Sequence, residues 1–103
     1  MAEPHHPEIE QVRLQDVLQA LADPVRRQIV RYTVAHPDSP CGVVLKHVPK
    51  SSASHHWRVL RQAGVIRQTP AGTTRLNSVR IGELDRRFPG LLQAVLDAPE
   101  DGA

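Results

Sequence analysis

The sequence is poorest in the residues that make covalent, aromatic or membrane-embedded structure. A single cysteine, Cys41, excludes an intrachain disulfide and a tetrathiolate zinc site within one chain. One Phe, one Trp and one Tyr leave the core to Leu, Val, Ile and Ala, which suits packed helices. No apolar run approaches the roughly 20 residues that span a bilayer, and no charged-then-apolar leader opens the chain. A cytoplasmic protein with no membrane partner is therefore expected. Its 103 residues allow one domain, small enough for burial against a second copy to be a natural source of stability. Nucleophile elbow, phosphate loop and metal-hydrolase motif are all missing, so no enzyme is expected and no catalytic residue is assigned.

The most informative absence is that of acid. Asp and Glu are missing between Asp38 and Glu83, where Lys46, Lys50, Arg58, Arg61, Arg67, Arg75 and Arg80 all fall. Acidic flanks offset most of that +7 and leave a formal net charge of +2. A basic centre between acidic ends points to a polyanion met by the middle of the chain, because phosphate neutralisation needs clustered cations. A solvated basic surface would account for the charge equally well, so the residue pattern has to decide.

Residues 1–7, where Pro4 and Pro7 bracket His5 and His6, hold nothing apolar and are predicted to be a flexible arm. Ile9, Val12, Leu14, Val17, Leu18 and Leu21 recur at helical spacing and predict an amphipathic helix over 8–22. Asp23 before Pro24 predicts an N-cap with Pro at the first position of a second helix, ended by His36-Pro37. A third helix is expected from Ser39, with Pro40 at its first position and Val43, Val44, Leu45 and Val48 following. Ser51 or Ser52 then caps a fourth helix, closed by Gly64. Two short helices around a tight turn over 39–64 make a helix-turn-helix. Val65–Thr69 and Thr73–Val79, joined by Pro70-Ala71-Gly72, predict a β-hairpin over 65–80. A last helical region over 81–98, broken at Pro89-Gly90, precedes a frayed tail, 99–103. The predicted fold is mainly α with a small β-hairpin wing, a winged helix-turn-helix that fills 8–98.

Projected on a helix, Ala53, Trp57, Leu60 and Ala63 face the core, whereas Ser51, Ser54, His55, Arg58, Arg61 and Gln62 face outward. Exposed helices ordinarily mix acids with cations, because opposite charges at i and i+4 support each other. An outer face with none is suited to phosphates. Small Ser51 and Ser54 let the backbone approach base edges in a major groove about 12 Å wide, with Lys50 and Arg58 reaching phosphates on either side. His55 is a DNA-contact candidate, its neighbour His56 packing on the wing or the third helix. Arg67, Thr73, Thr74 and Arg75 put cations and hydroxyls on a ribbon that could grip the backbone or enter the minor groove. Arg26, Arg27 and Arg31 form either a solvated face, the favoured reading, or additional phosphate contacts.

The run Leu21-Ala22-Asp23-Pro24-Val25-Arg26-Arg27-Gln28-Ile29-Val30, the run from Ser51 through His55-His56-Trp57 and Ala63-Gly64 to Ile66, and the Gly72 hairpin resemble the ArsR/SmtB family of winged-helix regulators over about residues 8–97. The resemblance implies a homodimer built from the first and last helices, two recognition helices offered to a palindromic operator of double-stranded DNA, and usually repression, with activation as the alternative. It also places Lys50, Ser51, Ser54 and His55 at the family's base-contacting positions.

Family members often sense metal through a Cys-x-Cys pair at the third helix, or through Asp-x-His with a further His on the last helix. This sequence departs from both, with Cys41-Gly42 at the first place and Asp97 without histidine at the second. His5 and His6, near Glu3, Glu8 and Glu10, remain the metal candidates. Imidazole with carboxylate suits nickel, zinc or cobalt, although Pro4 lacks the amide proton of a square-planar terminal motif. His36, His47 and Cys41 form a weaker second set. The competing function is a winged-helix protein-interaction module, or a co-regulator that senses metal only through a partner protein.

Overall fold

The computed structural model describes residues 4–44, 46 and 50–101, with Lys50 and Ser51 by backbone alone. The chain opens with a 3₁₀ turn, Ile9–Gln11, and continues through α1 (Leu14–Ala20), α2 (Pro24–Ala35), β1 (Ser39–Pro40), α3 (Cys41–Val44) and α4 (Lys50–Gln62). It closes with β2 (Ile66–Ala71), β3 (Thr74–Val79), α5 (Ile81–Arg87) and α6 (Leu91–Asp97). The strands form one antiparallel sheet in the order β1-β3-β2. Val17 and Ala20 of α1, Ile29 and Val30 of α2, Trp57 and Leu60 of α4, Val65, Ile66 and Leu84 meet in the aliphatic core expected from composition.

Helix α2 starts where its residues dictate. Asp23 Oδ1 accepts from the backbone N–H of Val25 at 2.8 Å and of Arg26 at 3.2 Å, and Pro24 has no N–H to leave unpaired. At the far end, the His36 N–H closes the last turn onto Tyr32 O before Pro37. Gly64 ends α4 with φ +88, a left-handed conformation that costs a residue with a Cβ. Space reinforces the requirement, because a Cβ there would overlap Cγ2 of the buried Val12.

Local pattern mispredicted three places. The helix expected over 8–22 is interrupted at Val12 and Arg13, which are extended. Val12 is wedged beside Gly64, and its carbonyl accepts from Arg87 Nε at 2.7 Å instead of joining a helical ladder. Ser39 and Pro40, expected to begin the third helix, form β1 opposite Asn77 and Leu76, after Asp38 turns the chain at φ +62. Helix α3 begins only at Cys41, and Leu45, His47, Val48 and Pro49 lie outside the described residues. Pro70, expected in the hairpin turn, pairs with Arg75 inside β2. The turn is Gly72-Thr73, with Gly72 at φ +61 as a two-residue hairpin demands of its first central residue.

Both chain ends differ as well. Over its described part the arm is anchored: Gln68 N–H on the free edge of β2 donates to His6 Nε2 at 2.9 Å, and Arg80 Nη1 donates to Pro7 O at 2.8 Å. Met1, Ala2 and Glu3 lie outside the described residues. The predicted fraying after 98 fails at Glu100, whose carboxylate lies 2.7 Å from both Arg27 and Arg31. Gly102 and Ala103 lie outside the described residues.

Candidate nucleic-acid interface

Helix α4 turns Trp57, Leu60 and Ala63 inward, leaving Ser52, Ser54, His55, Arg58 and Gln62 exposed. No acidic side chain belongs to this face, so its cations have no counterion on their own helix. The backbone of Lys50 and Ser51 opens the helix, while their side chains lie outside the described residues. Lys46 is exposed in the turn before it.

The neighbouring imidazoles divide sharply. His55 is exposed, whereas His56 is half-buried against the start of α2, its Nδ1 3.4 Å from Arg26 Nη1. That replaces the wing or third helix expected as its neighbour. Burial pushes the His56 pKa below its ordinary value, with Asp23 pulling upward and Arg26 and His55 downward. An imidazole facing inward and an open one facing out follow from the 100° step between adjacent helical residues.

Arg61 is less outward than the helical projection predicts. Its Nη1 donates to Gln68 Oε1 of the wing at 2.8 Å, while its Nε is buried without a partner. Burial lowers its pKa, and the nearby charges of Arg75 and Arg58 lower it further. Arg58 and Arg61 on α4 and Arg75 on β3 are thus near enough for their charges to act on one another where α4 meets the wing. Arg75 reaches this side because it pairs with Pro70 in the alternation that also holds Gln68 opposite Asn77.

Arg67 belongs to the other phase of β2. It lies 3.5 Å from Glu83, which also takes a 2.8 Å ion pair from the buried Arg80. Hydrogen bonding from Arg80 holds the Glu83 carboxyl below its usual range. Two of the seven central cations are thus engaged structurally, away from α4. Thr73 is exposed at the ribbon tip and Thr74 half-exposed beside it.

Sequence reasoning missed Gln68 and Asn77, which are 1% and 0% exposed. Gln68 Nε2 donates to Asn77 Oδ1 at 2.9 Å, and Asn77 Nδ2 donates to Ser39 O at 2.9 Å and to Cys41 Sγ at 3.2 Å. The available signal was phase: Gln68 follows Ile66 by two, as Asn77 precedes Val79 by two, so both polar residues fall on inward positions. The predicted solvated face of Arg26, Arg27 and Arg31 is also absent. Arg26 donates to Ala20 O and Gln19 O, Arg27 to Leu21 O, and Arg31 to Leu96 O.

His5 is exposed and His6 is engaged by Gln68. Among the described residues no group of three or more His, Cys, Asp or Glu could hold a metal ion. Nor, among them, is any helix long and apolar enough to cross a membrane.

A convex polar helix beside a short cationic hairpin, carried on a helical core, defines the winged helix-turn-helix class, not an enzyme. A family model described as a helix-turn-helix domain matches residues 21–69. The uncharacterized HTH-type transcriptional regulator YceK of Bacillus subtilis (strain 168) is 30% identical over 89 residues, 84% of this chain and 88% of the relative. The chain belongs to the HTH-type transcriptional regulators, DNA-binding proteins by class. Its fold is that of an ArsR family transcriptional regulator of known crystal structure, which it matches at a TM-score of 0.65 with 22% identity, over 93% of this chain and 100% of the other.

Proposed function

We propose that the chain is an ArsR-type, sequence-specific DNA-binding repressor that acts as a homodimer on a palindromic operator in the cytoplasm. The observation that carries this reading is the acid-free exposed face of α4, with Ser54, His55 and Arg58 open to solvent and Arg75 of the wing beside it. Ser54 and His55, with Lys50 and Ser51 at the helix start, read base edges. Arg58, Arg61 and Arg75 hold phosphates, and Thr73 and Thr74 meet the backbone at the ribbon tip. Arg67, on the opposite face and paired with Glu83, contributes least.

Support for the homodimer comes from α1, where Leu14 and Leu18 are 47% and 45% exposed one helical turn apart. Two leucines on one face of a short helix are costly in water and available to a second copy.

A gel-shift series against a palindromic promoter fragment tests the reading. Phosphate binding requires affinity to fall steeply with the logarithm of salt concentration, whereas a protein-interaction module would be nearly insensitive. Ser54→Ala and His55→Ala should weaken operator binding selectively, and Arg75→Ala should weaken all sequences alike. If His55→Ala stays within about twofold of wild type, roughly 0.4 kcal/mol, its assignment is wrong. A response to nickel or zinc through His5 and His6 requires His6 to leave Gln68. Calorimetric titration of the chain with and without residues 1–7 tests that step directly.

A further inference from the structure

Buried polar side chains in a small core need a reason, because an unpaired amide inside costs more than an apolar one of the same shape. Gln68 and Asn77 are the two fully buried amides here, and they are bonded in series. One end of the series is Arg61 Nη1 on α4, 2.8 Å from Gln68 Oε1. The other is Ser39 O on β1, which accepts from Asn77 Nδ2. The chain of bonds thus crosses from the fourth helix, through both wing strands, to the strand that leads into α3. Apolar residues would fill this space without fixing the angle between helix and hairpin.

Arg61 gains a direction from that arrangement. Its guanidinium is held toward the wing by Gln68, the charges of Arg75 on the wing and Arg58 on its own helix oppose it, and its Nε–H has no partner. No salt bridge reaches Arg58, Arg61 or Arg75 among the described residues, although four occur elsewhere. Cations held together without an acid are arranged for an external anion, and planar guanidinium forks match phosphate oxygens.

We propose that Gln68 and Asn77 are positioning residues for DNA binding, which orient Arg61 so that it closes with Arg58 and Arg75 on one backbone phosphate at the seam between α4 and the wing. The inference rests on α4 being the DNA-facing helix and names how one phosphate beside it is captured. Neither amide touches the nucleic acid; each acts through Arg61.

The test uses the full chain and a fluorescent mixed-sequence duplex of about two helical turns, titrated from low to moderate salt. Removing one neutralised phosphate lowers the slope of log affinity against log salt by about 0.9. Gln68→Met, similar in size but unable to accept from Arg61, should show that drop and about tenfold weaker binding. Because it acts through Arg61, combining it with Arg61→Ala should weaken binding no further than Arg61→Ala alone. Gln68→Glu keeps an acceptor for Arg61 but neutralises it and loses the donor to Asn77 Oδ1, so the slope should fall by the same amount at some cost in melting temperature. That variant keeps the proposal open to failure if Gln68→Met does not fold. A wild-type slope in Gln68→Met or Gln68→Glu, or additive losses in the double variant, overturns the proposal and leaves the DNA-binding reading standing. A wild-type protein whose binding ignores salt removes both.

Discussion

Gly64 shows how much one position can decide. It ends α4 in a left-handed conformation and leaves the space that buried Val12 occupies. Gly64→Ala combines backbone strain of about 1–2 kcal/mol with overpacking of about 1–3 kcal/mol. Urea unfolding should therefore show a loss of about 3 kcal/mol, and a loss under 1 kcal/mol would mean that Val12 moves aside freely. At the same scale, legibility in sequence tracked locality. The Asp23 cap and the exposure of His55 depend on neighbours within one turn and were read correctly. Arg61 and Arg67 were read as free cations, since nothing within a few residues reveals Gln68 or Glu83 as their partners.

At the scale of elements, α2 is held to the chain end by charge. Arg27 and Arg31 both bind Glu100, and these hydrogen bonds, Arg27 foremost, hold the Glu100 carboxyl down to about 2. A carboxyl whose folded pKa lies below its ordinary value of 4.5 stabilises the fold above that value and loses the contribution as pH falls toward 2. Glu100→Gln should therefore melt below wild type at pH 7. The difference should narrow through pH 4 and vanish near pH 2, and a gap independent of pH would show that the ion pairs contribute nothing. The elements themselves were legible wherever one periodicity ran uninterrupted, as in α2, α4 and the two wing strands. They were misread where a tertiary contact outcompeted local preference: Val12 leaves the helical ladder for Arg87, and Ser39 pairs with Asn77 before α3 can begin.

At the scale of the molecule, the proposed dimer makes the DNA reading geometric, since two α4 helices must be spaced to meet successive turns of one groove face. Leu18→Glu places a charge on the open face of α1. Sedimentation should find it monomeric at concentrations where wild type is dimeric. Its affinity for a palindrome should drop toward that for a single half-site, and an unchanged dimer would move the interface away from α1. The sequence by itself determined the helical class, the hairpin and the acid-free face of α4, because hydrophobic period, caps and charge are written in residues close together. Only the tertiary structure decided which cations face outward, where the arm and tail are tied, and that Gln68 and Asn77 join helix to wing. Those outcomes depend on strand register and on contacts between distant segments, which arise only when the chain packs.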